Sequence, residues 1–254
     1  MPILLHLMKY YAHFGHTDFI LCLGHRATAF KQYFLNYNEA LHNDFVMRRG
    51  GRVLDVLKTD IEEWSITFVD TGLSASIGER LMAVRRHLEG DEYFLANYGD
   101  QLSDSRLDVR VRALRDSGAV ASLLSVKPQH STHMLTIGSR GLIESVRAMD
   151  DGSLWINGGY FVFRHDVFDY MKPGEDLVEE PFRRLIEARQ LISEKHAGFW
   201  APMDTLKDKD RLDSLAATRV PPWAVWLEDA NPIPLSPPPL GLVPTQSAYI
   251  PKAV

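Results

Sequence analysis

Only one cysteine, Cys22, occurs among the 254 residues. An internal disulfide is excluded. A lone Cys inside the apolar run DFILCL reads as a small buried hydrophobe rather than a nucleophile. Apolar runs of membrane-spanning length are missing too. So is the basic-then-apolar opening of a secretory leader, because His6 and Lys9 interrupt the first stretch. An excess of positive charge is also lacking, since the formal net charge is −5. That balance argues against coating a nucleic acid or an anionic membrane, both of which need a basic face. These absences leave the expectation of a cytoplasmic protein that binds neither nucleic acid nor membrane. Proline is scarce until late, with nine of the 14 falling from Pro221 onward.

What is present suits a packed core. The chain is 45% hydrophobic and 24% charged, and its length fits one large α/β domain or two small ones. Ile3, Leu4, Leu7, Met8 and Tyr11 recur at the spacing of one helical face, and Gly15 stops that helix. Strands are expected at DFILCL (18–23), SITFVDTG (65–72), EYFLANYGD (92–100), AVASLLSV (119–126) and WINGGYFVF (155–163). Helical patterns lie between them, over 27–37, 79–88 and LDVRVRALRDSG, followed by EEPFRRLIEARQL and a last helix after GFWAPMDT. Apolar strands alternating with helices predict an α/β fold, a mostly parallel sheet covered by helices on both faces. Residues 1–227 form the domain in this reading. Residues 228–254, with Pro237-Pro238-Pro239, form an extended Pro-rich tail.

Ligands of open α/β sheets gather beyond the carboxyl ends of the strands. Tyr98, Gly99 and Asp100 stand at such an end, where a carboxylate can hold Mg²⁺ or simply close a Gly-Asp turn. Asp104 and Asp108 follow, readable as an N-cap and a first-turn acid of the next helix. Asn157, Gly158 and Gly159 offer an amide to sugar hydroxyls and a backbone open to close approach, or else a glycine bulge. Asp204 stands at a loop-to-helix junction behind Phe199 and Trp200, as a second acid or a helix cap. Two acids at one sheet mouth could share a cation.

The order VDTG, helix with Arg80, FLANYGD, WINGGYFVF, EEP, GFWAPMDTLKDK resembles the sugar-1-phosphate nucleotidyltransferases, with the glucose-1-phosphate cytidylyltransferase branch the nearest likeness. The likeness runs from about Pro2 to Trp226. It implies a Rossmann-like nucleotidyltransferase fold. It also implies an Mg²⁺-dependent reaction in which a sugar 1-phosphate attacks a nucleoside triphosphate, CTP and glucose 1-phosphate favoured, and a homo-oligomer. By position, Asp100 and Asp204 would hold the metal, and Tyr98 and Gly99 would border the nucleotide. Arg80 would contact phosphate or base. Asn157, Gly158 and Gly159 would face the sugar, with Glu179 and Glu180 of the EEP near its hydroxyls or supporting the fold.

The departures are equally specific. The family's GGxGTR loop and PKP lysine, which bind triphosphate through backbone N–H groups and charge, occur nowhere in the sequence. Met1 aligns just beyond them, so a strand and turn on the order of thirty residues are expected to be missing. Such a chain is expected to be aggregation-prone, and weakly active or inactive. A non-catalytic binding or regulatory relative is the alternative. The lysine of the family's EKP falls at Ala148, with Arg147 beside it as the substitute, and the usual glycine after YGD is Gln101. A glycosyltransferase reading fails because no DxD-like pair ends a strand.

Overall fold

The computed structural model describes residues 1–128, 133–148 and 154–228. The expected Pro-rich tail beyond Glu228 and the DDG turn at 150–152 lie outside the described residues. Helix α1 (Ile3–His13) is followed by β1 (Asp18–Leu23), α2 (Ala27–Leu35) and a hairpin of β2 (Phe45–Arg48) and β3 (Val53–Val56). Then come β4 (Ser65–Asp70), α3 (Ile77–Val84), β5 (Tyr93–Asn97), β6 (Gln101–Ser103), α4 (Leu107–Ser117) and β7 (Ala121–Val126). A second hairpin, β8 (His133–Ile137) and β9 (Ile143–Ala148), leads to β10 (Ile156–Arg164), α5 (Glu180–Glu187), β11 (Leu191–His196), β12 (Trp200–Pro202) and α6 (Leu206–Ala216).

Two sheet segments carry the architecture, β1-β4 and β11-β7-β10-β5. The period-2 alternation of strands shows directly in β10: Tyr160 and Val162 enter one core, Phe161 and Phe163 the other. The first core takes Leu7 and Met8 of α1 and Leu107, Val111 and Leu114 of α4, at helical spacing. The second takes Leu81 and Val84 of α3 and Phe182 and Leu185 of α5. Helices thus cover both faces, as expected.

The strand directions are less uniform than the expected mostly parallel sheet. β1-β4 and β11-β7 are parallel, but β10 is antiparallel to both its neighbours. A hairpin rather than a helical crossover joins β7 to β10, and parallel neighbours need a crossover. Both hairpins escaped the sequence reading, because they are largely exposed and lack the apolar runs that marked the core strands.

Two buried polar groups pin the first core. Arg110 of α4 is fully buried, 3.8 Å from Glu194 and within hydrogen-bond reach of the Tyr10 hydroxyl (3.4 Å) and Ser105 Oγ (3.3 Å). A buried cation without such partners would cost several kcal/mol. His6 of α1 accepts the Trp223 indole N–H at 3.0 Å, tying the start of the chain to the segment after α6. Burial, first, and the neighbouring positive charges lower the His6 pKa to about 4, so it is neutral at pH 7.

Candidate active site

Asp100 and Asp204 lie far apart in sequence, and a short ladder joins the segments that carry them. β6 pairs antiparallel with β12, with Gln101 opposite Pro202 and Ser103 opposite Trp200. Just past that ladder the Met203 N–H donates to the Asp100 carbonyl at 2.9 Å. On the other side of Asp204, Thr205 caps α6: its hydroxyl accepts the Asp208 N–H while the Asp208 carboxylate accepts the Thr205 N–H. The expected N-cap role of Asp204 therefore belongs to Thr205, and the Asp204 carboxylate remains outside the cap. Asp100 is exposed at the turn, yet its carboxyl is partly desolvated by its surroundings. That desolvation first, and the charge of Asp204 second, raise its pKa. The two acids face one electrostatic environment.

Asp104 is likewise not the cap of α4, whose N-cap residue is Arg106. Its carboxylate lies 2.7 Å from His196 Nε2 and, with the Phe199 carbonyl, holds the turn that leads into β12. Asp108 is the first-turn acid expected and pairs with Arg106 and Arg112.

Asn157 lies on β10, bonded to Tyr98 of the turn that carries Asp100. Its Nδ2 donates to the Tyr98 hydroxyl at 3.1 Å and its Oδ1 accepts the Gly159 N–H at 2.9 Å. One amide hydrogen and one lone pair remain for a ligand. Gly159 has φ +70°, and a Cβ there would collide with Gln101 and Tyr98. Gly158 presents its carbonyl to the Trp200 indole N–H at 2.9 Å. The glycines form a bulge that shifts the β10–β7 register between Asn157 and Phe161. Gly99 has open space where a Cβ would stand.

Between the two sheet segments lies a cavity of about 870 Å³ whose lining includes Leu21, Gly24, Arg80, Asn97, Tyr98 and Asp100. Arg80 on α3 donates to Thr71 Oγ1 at 2.6 Å, and its guanidinium closes over Gly24 at the turn from β1 into α2. Arg26 in that turn is left-handed, φ 54°, an uncommon conformation for a residue with a side chain. The sequence reading passed over Gly24 and its turn. An apolar strand running directly into a helix N-terminus was the signal that could have found it. Asn97, in the same cavity lining with its side-chain amide buried, was also missed. Cys22 lines the same cavity, and burial pushes its thiol up to about 11, in keeping with an unreactive role.

The remaining expected site residues are not drawn into this constellation by any contact. Arg147 is exposed on β9, opposite Met134. Glu179 and Glu180 stand at the N-terminus of α5, Glu179 exposed and Glu180 half-buried. Among the described residues no cluster of three or more His, Cys, Asp or Glu forms, and no helix is long and apolar enough to cross a membrane.

Glucose-1-phosphate cytidylyltransferases of Salmonella typhimurium and Salmonella typhi are each 35% identical to the chain over 229 residues, covering 89% of it and 88% of each relative. The chain belongs to the sugar-1-phosphate nucleotidyltransferase family. A Bacillus subtilis protein assigned as a glucose-1-phosphate cytidylyltransferase is 32% identical over 227 residues. No family model matches. A Bacillus anthracis structure assigned as a glucose-1-phosphate thymidylyltransferase, solved with sucrose, superposes with a TM-score of 0.58 over 85% of this chain and 82% of that one. At 15% identity that likeness establishes the nucleotidyltransferase fold alone. That membership places the chain among enzymes of nucleotidyltransferase type.

Proposed function

We propose that this site joins CTP to glucose 1-phosphate, forming CDP-glucose and releasing pyrophosphate. A phosphate oxygen of the sugar phosphate attacks the α-phosphorus in line. The bond to the bridging oxygen of the β-phosphate breaks, and pyrophosphate leaves with that electron pair. Positioning and charge neutralisation supply most of the catalysis of such a step. The observation that carries this reading is the ladder that joins the segments carrying Asp100 and Asp204, with Asp100 lining the cavity.

The same pair fits Mg²⁺. Desolvation first, and the charge of Asp204 second, make the Asp100 carboxylate less favourable ionised, and a dication beside it would relieve both. Two carboxylates also leave coordination positions for phosphate oxygens and water, the arrangement this hard ion favours. Mg²⁺ held there supplies neutralisation of phosphate charge. The chain's own groups do the rest. Arg80, braced by Thr71, offers its guanidinium to the nucleotide over Gly24. Tyr98 and Gly99 border it. Asn157, fixed by Tyr98 and Gly159, keeps one donor and one acceptor for a sugar hydroxyl. The likeness to the family would put Glu179 and Glu180 near the sugar and Arg147 at its 1-phosphate, although no contact in the structure draws these three to Asn157 or Asp100.

The preference for CTP and glucose 1-phosphate comes from the curated relatives. The test is pyrophosphate release and nucleotide-sugar formation by the purified chain with Mg²⁺, glucose 1-phosphate and each of the four nucleoside triphosphates. Slow but detectable CDP-glucose is expected, given that no GGxGTR loop occurs in the sequence. Preference for another triphosphate overturns the cytidine assignment. Binding of both substrates with no pyrophosphate favours a non-catalytic binding subunit.

A further inference from the structure

Two ammonium groups share one indole on the sugar side of the site. Lys127 Nζ lies 4.0 Å and Lys195 Nζ 5.3 Å from the centroid of the Trp155 ring. Sheet register explains the meeting. Asn157 pairs with Ser125 and Ser125 with Lys195, so β10, β7 and β11 present these three side chains on one face. Trp155 and Lys127, two residues outward from Asn157 and Ser125, continue that face. It is the face of Tyr98, whose hydroxyl is bonded to Asn157.

Strand order then decides what the lysines can reach. In the order β11-β7-β10-β5, Asn157 stands between the lysines and the turn after β5 that carries Asp100. Neighbouring strands are about 4.8 Å apart, so Lys195 and Asn157 are separated by roughly 10 Å of backbone. A sugar phosphate whose reacting phosphate lies at Asp100 and Asp204 and whose ring lies on Asn157 turns its far end toward Lys127 and Lys195. The 1-phosphate is on the wrong side to be their ligand. Lys127 also donates to the Leu154 carbonyl at 3.4 Å, and Lys195 makes no ion pair among the described residues. Two cations drawn to one ring repel each other, and an anion placed between them relieves that repulsion.

We propose that Lys127 and Lys195, arrayed on Trp155, select a hexose 1-phosphate that carries a second anionic group at the end of the sugar remote from C1. The selection rests on the proposed nucleotidyl-transfer reading, which puts C1 at the two aspartates. A carboxylate and a phosphate at C6 share the required chemistry, and the probes separate them.

Calorimetric binding of glucose 1-phosphate, glucuronic acid 1-phosphate and glucose 1,6-bisphosphate is measured on the wild-type chain, on Lys127→Gln/Lys195→Gln and on Lys58→Gln/Lys172→Gln as a charge-matched control. At least one doubly anionic ligand is expected to bind about tenfold more tightly than glucose 1-phosphate, whichever does so identifying the anion. The double variant should lose that preference while its affinity for glucose 1-phosphate changes little, and the control should keep it. Equal affinity for all three ligands, no binding of any, or a preference that survives in the double variant overturns the proposal. Turnover is assayed separately. A chain that shows the lysine-dependent preference yet releases no pyrophosphate refutes the nucleotidyl-transfer reading and leaves the anion site standing.

Discussion

Strands β5 and β10 are buried along nearly their whole length, whereas β1 alternates buried with half-buried residues and β4 has none that is buried. The four-stranded segment is packed on both faces by α1, α4, α3 and α5, and it carries Asn157 and leads through Tyr98 into the separate β6–β12 ladder. The β1-β4 segment carries Gly24, Thr71 and, through α3, the grip on Arg80, and it borders the open cavity. The four-stranded segment is thus the more closely packed of the two, and the β1-β4 segment the more open.

The sharpest break in the comparison is at the acids. Asp100→Asn or Asp204→Asn should each reduce turnover by at least about a hundredfold, since each removes a hard anionic ligand, with the far-ultraviolet circular dichroism unchanged. Full activity in either variant would sink the two-aspartate assignment. Next in size, Arg110→Ala in the closely packed half should cost on the order of 3 kcal/mol and lower the melting temperature by roughly 10 °C, because Glu194 keeps a partly buried charge without its partner. A loss near zero would mean that the buried pair contributes nothing to that half.

In the open half, Thr71→Val removes the hydroxyl that braces Arg80 and the bond it makes to the Leu23 carbonyl. Stability should fall by about 1 kcal/mol and KM for the nucleotide should rise several-fold, with KM for the sugar phosphate unmoved. A rise in both constants would show that the two sides are not independent.

Acid should loosen α1 through His6. A histidine held neutral in the fold contributes stability that is present above its unfolded pKa near 6.5 and lost as the pH falls toward about 4. Melting temperatures followed across that window should therefore drop more steeply in the wild type than in His6→Phe. The smallest effect returns to Asp100, whose raised pKa marks a carboxylate that is less favourable ionised in the fold. Its contribution is present below the unfolded carboxylate range and is lost as the pH rises through the folded pKa. At pH 7, Asp100→Asn should raise the melting temperature by about 1–2 °C, while added Mg²⁺ should stabilise the wild type and not the variant. No Mg²⁺ effect on the wild type would remove the metal from this site.

Much of this was legible beforehand. The apolar run DFILCL became β1 over the same six residues, and the spacing of Leu107, Val111 and Leu114 became the buried stripe of α4. Both depend on local periodicity, which a sequence carries without its fold. Strand direction was harder to read: nothing in INGGYFVF says that a hairpin precedes it, and only a mostly parallel sheet was expected. Cap preference is a local rule and allowed Asp104 and Asp204 to be read as caps, but Arg106 and Thr205 hold those positions, and Asp104 pairs with His196 instead.

By itself the sequence determined the α/β class, the positions of the core strands and helices, and the family, because period, turn chemistry and long motifs are written in the order of residues. Only the tertiary structure decided that the segments carrying Asp100 and Asp204 join, that Gln101 and Tyr98 fill the space beside Gly159, and that Lys127 and Lys195 share one indole. Each is a contact between distant segments, set by strand order and register, and those depend on how all the elements pack at once.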